Sequence, residues 1–130
     1  MDRDQVFAAI KDENVNIIDS LPPASYRGEM PMYARPGHIT GAVNMSAMAA
    51  FDETGHYRSQ DELATIFAVD PNKRTIMYCG GGIAASSNAF VLTRLGVEDV
   101  AVYTNSLQEW AADPANPMET VTEEDKTGHQ

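Results

Sequence analysis

The sequence predicts an α/β fold, a parallel sheet with helices on both faces, and three observations carry that expectation. Short apolar runs of strand length alternate with segments of helical periodicity. Clusters of Gly and Pro separate them. The chain has 130 residues, 43% of them hydrophobic, and lacks an apolar run of membrane-spanning length, so it reads as one soluble domain with room for a core. The expected domain is 1–130, with a core from about 4 to 119 and a polar tail over 120–130.

The elements follow in order. Asp2 or Asp4 caps a first helix whose apolar positions are Val6, Phe7 and Ile10, and "VNIID" is a short buried strand. The stretch "SLPPASYRGEMPMYARPGHITG" has the Pro and Gly density of a loop, with one helical turn inside it. Its length marks it as functional or folded against another part of the chain. "AVNM" is a second strand, followed by a small-residue turn through "SAMAAF" and the polar loop "DETGHYR". Ser59 caps the helix "QDELATIFAV", with Glu62 at the capping-box position. "TIMYC" is the third strand and "ASSNAFVLTRL" the helix after it, with Gly96 as its stop. "DVAVY" is the fourth strand, and a short helix "SLQEWAA" ends at Asp113 and Pro114.

Charge and cysteine usage exclude several function classes. A formal net charge of −10 opposes binding to nucleic acid or an anionic membrane, because phosphate-rich partners are repelled. The N-terminus is charged and has no apolar signal segment. One cysteine makes no internal disulfide, which fits a reducing, cytoplasmic setting. The three histidines have no second ligand at useful spacing, so no metal site and no cofactor is expected.

Chemistry is expected where "TIMYC" ends. Ligands of parallel sheets collect at the carboxyl ends of strands, and Cys79 stands there, before Gly80, Gly81 and Gly82. Three glycines permit a tight turn with amides pointing inward, and the next helix adds its N-terminus. Such a nest favours thiolate over thiol and would also stabilise a persulfide. A buried, inert cysteine is the bland alternative.

Two other chemistries compete for this turn. "GGGIAA" matches a dinucleotide-binding fingerprint, but Glu98 and Asp99 precede the strand at whose end the ribose-binding acid belongs. A cysteine phosphatase needs an arginine to close its loop around phosphate; Ala85 stands there and the next arginine is Arg94.

The loop "CGGGIA", with "RPGHITGAVNM" and "YTNSLQEWAADPANPM", resembles the rhodanese-like sulfurtransferase family. More narrowly it resembles the catalytic second half of tandem thiosulfate and 3-mercaptopyruvate sulfurtransferases, over residues 15 to 120. The resemblance implies a central parallel sheet of about five strands. It also implies a cysteine that takes sulfane sulfur from a small-molecule donor and passes it to a thiophilic acceptor, such as cyanide, a small thiol or a protein thiol. Cys79 matches the sulfur-carrying residue, Gly80, Gly81, Gly82, Ile83 and Ala84 the cradling loop, and Ala85 the small residue that opens the helix. Asp19 matches the acid ending the first strand, which braces the active-site region; with Arg35, the candidate for holding the donor's anionic group, it makes up the expected substrate-binding residues. Arg27 reads as a surface residue, His38 as structural, and Trp110 as core.

Departures from the family pattern bear on the donor. The loop is neutral, as in mercaptopyruvate-type members, whereas thiosulfate-type loops carry cations after the cysteine. Leu21 stands where an arginine is frequent, and Asn105 and Ser106 replace a glycine pair. The alternative to an enzyme is a persulfide carrier or a regulatory module that binds a partner protein. The initial methionine and first helix favour a complete single-domain protein over half of a tandem one.

Overall fold

The computed structural model describes residues 2–29, 33–70, 72–79 and 83–120. Twelve elements occur in this part of the chain: α1 (Arg3–Ala9), β1 (Val15–Asp19), α2 (Pro23–Arg27), β2 (His38–Ile39), β3 (Val43–Asn44), a 3-10 turn (Ala47–Ala50), α3 (Gln60–Ile66), β4 (Arg74–Tyr78), α4 (Ile83–Arg94), β5 (Val100–Val102), α5 (Ser106–Trp110) and β6 (Met118–Glu119).

The main sheet is parallel, in the order β3-β1-β4-β5, with helices around it. Among the described residues it has four strands, against the five or so that the resemblance implies. The two central strands pair from Val15↔Arg74 to Asp19↔Tyr78, so Asp19 and Tyr78 stand side by side at the carboxyl end. Buried on both faces, these strands read as nearly continuous apolar runs. Ile17, Ile18, Ile76 and Met77 join Leu92 and Trp110 in one core, as expected for Trp110.

Local chemistry sets most boundaries. Asp2 accepts from the Gln5 amide while the Gln5 side chain accepts from the Asp2 amide, and Ser59 with Glu62 forms the same reciprocal box at the start of α3. Helix α4 stops at Gly96, whose φ of 95° is the left-handed conformation. The Val97 amide reaches back to Leu92 O and the Gly96 amide to Thr93 O, a complete Schellman closure with Leu92 and Val97 buried together.

One pairing escapes the sequence reading. Strands β2 and β6 form a separate antiparallel pair, with His38 opposite Glu119 and Ile39 opposite Met118. It ties the long loop to the segment after α5. Gly37, at φ 103°, is required there because a Cβ would lie 2.1 Å from Glu119 O. Among the described residues no helix is long and apolar enough to cross a membrane.

Candidate active site

Cys79 follows β4 directly and is 2% exposed; it is not in a disulfide. Its position between a strand and the start of α4 matches the expectation from sequence. The predicted loop members Gly80, Gly81 and Gly82 lie outside the described residues, as does the side chain of Ile83. Ala84 is half-buried and packs against the core, and Ala85 is fully buried within it. A larger residue at 85 would overpack the start of the helix.

The backbone of Cys79 is gripped from the start of α5. Its amide donates to Ser106 Oγ at 3.1 Å, and its carbonyl accepts from the Leu107 amide at 2.9 Å. Ser106 Oγ in turn donates to Tyr103 O at 2.7 Å. On the other side of the sheet position, the Ser20 amide donates to Tyr78 O at 2.8 Å.

Asp19 lies beside this end of β4 and is wholly buried. One carboxylate oxygen accepts from the Leu21 amide at 2.8 Å and the other from the Tyr78 hydroxyl at 2.8 Å. The Tyr78 hydroxyl also accepts from the Ile39 amide at 2.9 Å, so a single phenol joins β1, β4 and β2. Burial pushes the Asp19 carboxyl above its ordinary value, against the opposing pull of these hydrogen bonds and of His38. Burial, with the adjacent Asp19 charge, pushes the Tyr78 phenol well up, so it stays a neutral donor.

Arg35, the candidate for holding the donor's anionic group, has its guanidinium on the segment at and after the end of α5. Its Nε donates to Ala111 O at 3.0 Å, and one terminal nitrogen reaches Trp110 O, Asp113 O and Asn116 O at 3.2, 2.8 and 2.8 Å. The guanidinium thus collects the carbonyls left open at the end of α5. Donor binding by Arg35 would require it to give up these bonds. Arg27 pairs with Glu29 at 2.8 Å at the surface. His38 is buried, with Nδ1 2.7 Å from Tyr26 O and its ring stacked on Tyr26 at 3.7 Å. These are backbone-fixing and packing contacts, in keeping with a structural role.

Three residues that sequence reasoning passed over belong to this region. Tyr33, in the long loop, is half-buried against the core, and its phenol is pushed up by burial and by the nearby Cys79 and Asp19. Asn88, fully buried on α4, donates to Ser20 Oγ at 2.9 Å and Met45 O at 2.6 Å, while its Oδ1 has no hydrogen-bond partner among the described residues. Ser106 carried one signal, since it occupies a position where the resemblance has glycine. Among the described residues, no cluster of three His, Cys, Asp or Glu side chains could hold a metal ion.

Comparison with known proteins gives the family and the fold. The family model for the rhodanese-like domain matches residues 2–113. A Mycobacterium bovis protein whose name, thiosulfate sulfurtransferase 1, is provisional is 36% identical over 129 residues, covering 90% of this chain and 46% of that protein. The thiosulfate sulfurtransferase of Gallus gallus is 33% identical over 124 residues, covering 92% of this chain and 43% of that protein. The chain therefore spans about half the length of the curated relatives it matches. Among solved structures, the anaerobic ergothioneine biosynthesis enzyme of Chlorobium limicola, in complex with trimethyl histidine, superimposes with a TM-score of 0.84 at 26% identity, over 92% of this chain and 31% of that one.

Proposed function

Because the chain belongs to the rhodanese-like domain family, we propose that it is a sulfurtransferase in which Cys79 carries the transferred sulfur as a persulfide. The observation that supports this most directly is the fixed backbone of Cys79, the only cysteine, at the carboxyl end of a central parallel strand. A nucleophile needs a defined direction of approach, and this residue is held at both of its peptide groups.

In the proposed reaction the Cys79 thiolate attacks the transferable sulfur of a small anionic donor, the outer sulfur of thiosulfate or the thiol sulfur of 3-mercaptopyruvate. From thiosulfate the S–S bond breaks and sulfite leaves with the electron pair; from 3-mercaptopyruvate the C–S bond breaks and the carbon takes up a proton as pyruvate forms. The outer sulfur of the Cys79 persulfide is then attacked by cyanide or a thiolate, and the cysteine leaves as thiolate. No net oxidant is needed, which suits a site built around one thiol.

Both donors enter this proposal. Relatives named for thiosulfate support one, and the neutral composition of residues 80–85 supports the other. Asp19 takes the role of a brace: its carboxylate fixes the Leu21 amide and the Tyr78 hydroxyl beside the end of the strand that carries the cysteine. A small thiol or a protein thiol is the proposed acceptor, and the cytoplasm the proposed compartment.

Mass spectrometry after incubation with each donor tests the reading. The expected outcome is a gain of one sulfur atom on Cys79, removed by cyanide with formation of thiocyanate. Cys79→Ser should form no adduct and no thiocyanate while keeping the parent's circular dichroism. Thiocyanate formation by that variant at a substantial rate would overturn the assignment.

A further inference from the structure

Cys79 lies one step beyond the point where β4 and β5 part. The last inter-strand bond of that pair runs from the Tyr103 amide to Met77 O at 2.9 Å. Past it the neighbouring strand is no longer available, and a buried peptide group needs another partner. Ser106 provides one. Its Oγ donates to Tyr103 O at 2.7 Å, which turns an acceptor lone pair toward the Cys79 amide at 3.1 Å. The adjacent Leu107 amide takes the Cys79 carbonyl at 2.9 Å.

The backbone of Ser106 bears a cost for this. Its φ is 50°, the one positive value at a non-glycine among the described residues, and the residue is fully buried. Glycine adopts that conformation without steric penalty. A hydroxyl is what glycine cannot supply. The disfavoured backbone and the hydroxyl bonded on both sides meet at the proposed sulfur carrier, where retained strain has a function to serve.

We propose that Ser106 is a positioning residue for Cys79. Its hydroxyl replaces the missing ladder partner, fixes the Cys79 peptide, and so sets the direction in which the thiol leaves the end of β4. Ser106 acts through the backbone of Cys79 and makes no contact with donor or acceptor. The inference rests on the reading of Cys79 as the sulfur carrier. A turn with a purely architectural role would need only a residue that accepts positive φ, whereas a positioning role needs the oxygen.

Two variants separate these roles. Ser106→Ala removes the hydroxyl and keeps the backbone strain; Ser106→Gly removes the hydroxyl and relieves it. Single-turnover persulfide formation, steady-state kinetics with thiosulfate, thermal unfolding, and the pH profile of Cys79 alkylation by iodoacetamide are measured for both and for the parent. Both variants should lose roughly ten- to a hundredfold in kcat, with KM for the donor held within about twofold. Their alkylation profiles should be displaced from the parent's. Ser106→Gly should unfold at a higher temperature than Ser106→Ala yet be no faster. Ser106→Thr, which keeps the oxygen at the expense of a more strained backbone, should be the less stable but faster protein. A Ser106→Gly variant with the parent's rate and alkylation profile would overturn the proposal, as would activities that follow unfolding temperature across the series. Alkylation needs no sulfur donor. If the parent forms no persulfide, the sulfurtransferase reading fails, while the positioning role is still decided by the alkylation profiles.

Discussion

The carboxyl end of the sheet and the face shared by α3 and α4 both gather aromatic side chains, and they use them in opposite ways. At the sheet end Tyr78 is completely buried, and its hydroxyl is bonded to both Asp19 and the Ile39 amide. On the helix face Tyr57 and Phe90 are 45% and 52% exposed. There Tyr57 stacks on Phe51 at 4.7 Å, Arg94 lies over the Phe90 ring at 5.8 Å, and a groove of about 200 Å³ opens between them. Water reaches one region and is excluded from the other. Where it is excluded, a lost hydrogen bond has no substitute and a charge is expensive; where it has access, most single changes are compensated. The contrast teaches that stability is most sensitive at the end of the sheet where the proposed chemistry is placed.

The strongest challenge to that contrast is Tyr78→Phe. It deletes one oxygen, yet it leaves a buried carboxylate oxygen and the buried Ile39 amide without their partner. The expected loss is about 2–4 kcal/mol, read as a shift of the urea midpoint at unchanged m-value. A loss below about 0.5 kcal/mol would mean that water enters this end of the sheet after all.

Asp19→Asn sharpens the comparison through pH. Burial raises the Asp19 pKa, so the folded protein keeps this proton to higher pH than the unfolded chain, whose carboxyl titrates near about 3.9. With a raised folded value, the group's contribution is fully present below the unfolded value and is lost as pH rises through the folded one. Asparagine does not titrate. The parent's stability advantage over Asp19→Asn should therefore shrink as pH increases from about 4 toward neutrality, measured by urea unfolding. A constant or growing advantage would show that the hydrogen bonds from Leu21 and Tyr78 outweigh desolvation.

Phe90→Ala marks the other end of the scale. Half of this ring is already in water, and its contact with Tyr57 is a tilted one at 6.4 Å. Its removal should cost less than about 1 kcal/mol and leave the rate of the proposed sulfur transfer at the parent's value. A larger loss of either kind would join the helix face to the sheet end and erase the distinction between them.

What could be read from the sequence alone was whatever short-range chemistry decides. A cap at Asp2 or Asp4, the capping box at Ser59, the Gly96 stop, and the placement of Cys79 between β4 and α4 each depend on residues a few positions apart. Their partners are therefore visible in the sequence itself. The tertiary structure alone decided the distant matches. Arg35 was legible as a cation in a long loop, but its four acceptors are carbonyls of residues 110–116, and backbone carbonyls leave no mark in a sequence. The β2–β6 pair was hidden for a related reason: two residues per strand give no periodicity, and the pairing forms across most of the chain. Tyr78 read as one more apolar strand residue, and only the parallel register that sets it beside Asp19 makes its hydroxyl a junction. Ser106 is the sharpest case. The sequence shows a serine where the resemblance has glycine; the fold brings its hydroxyl to the amide of Cys79, because partnering a buried peptide group outweighs the strain of a left-handed serine.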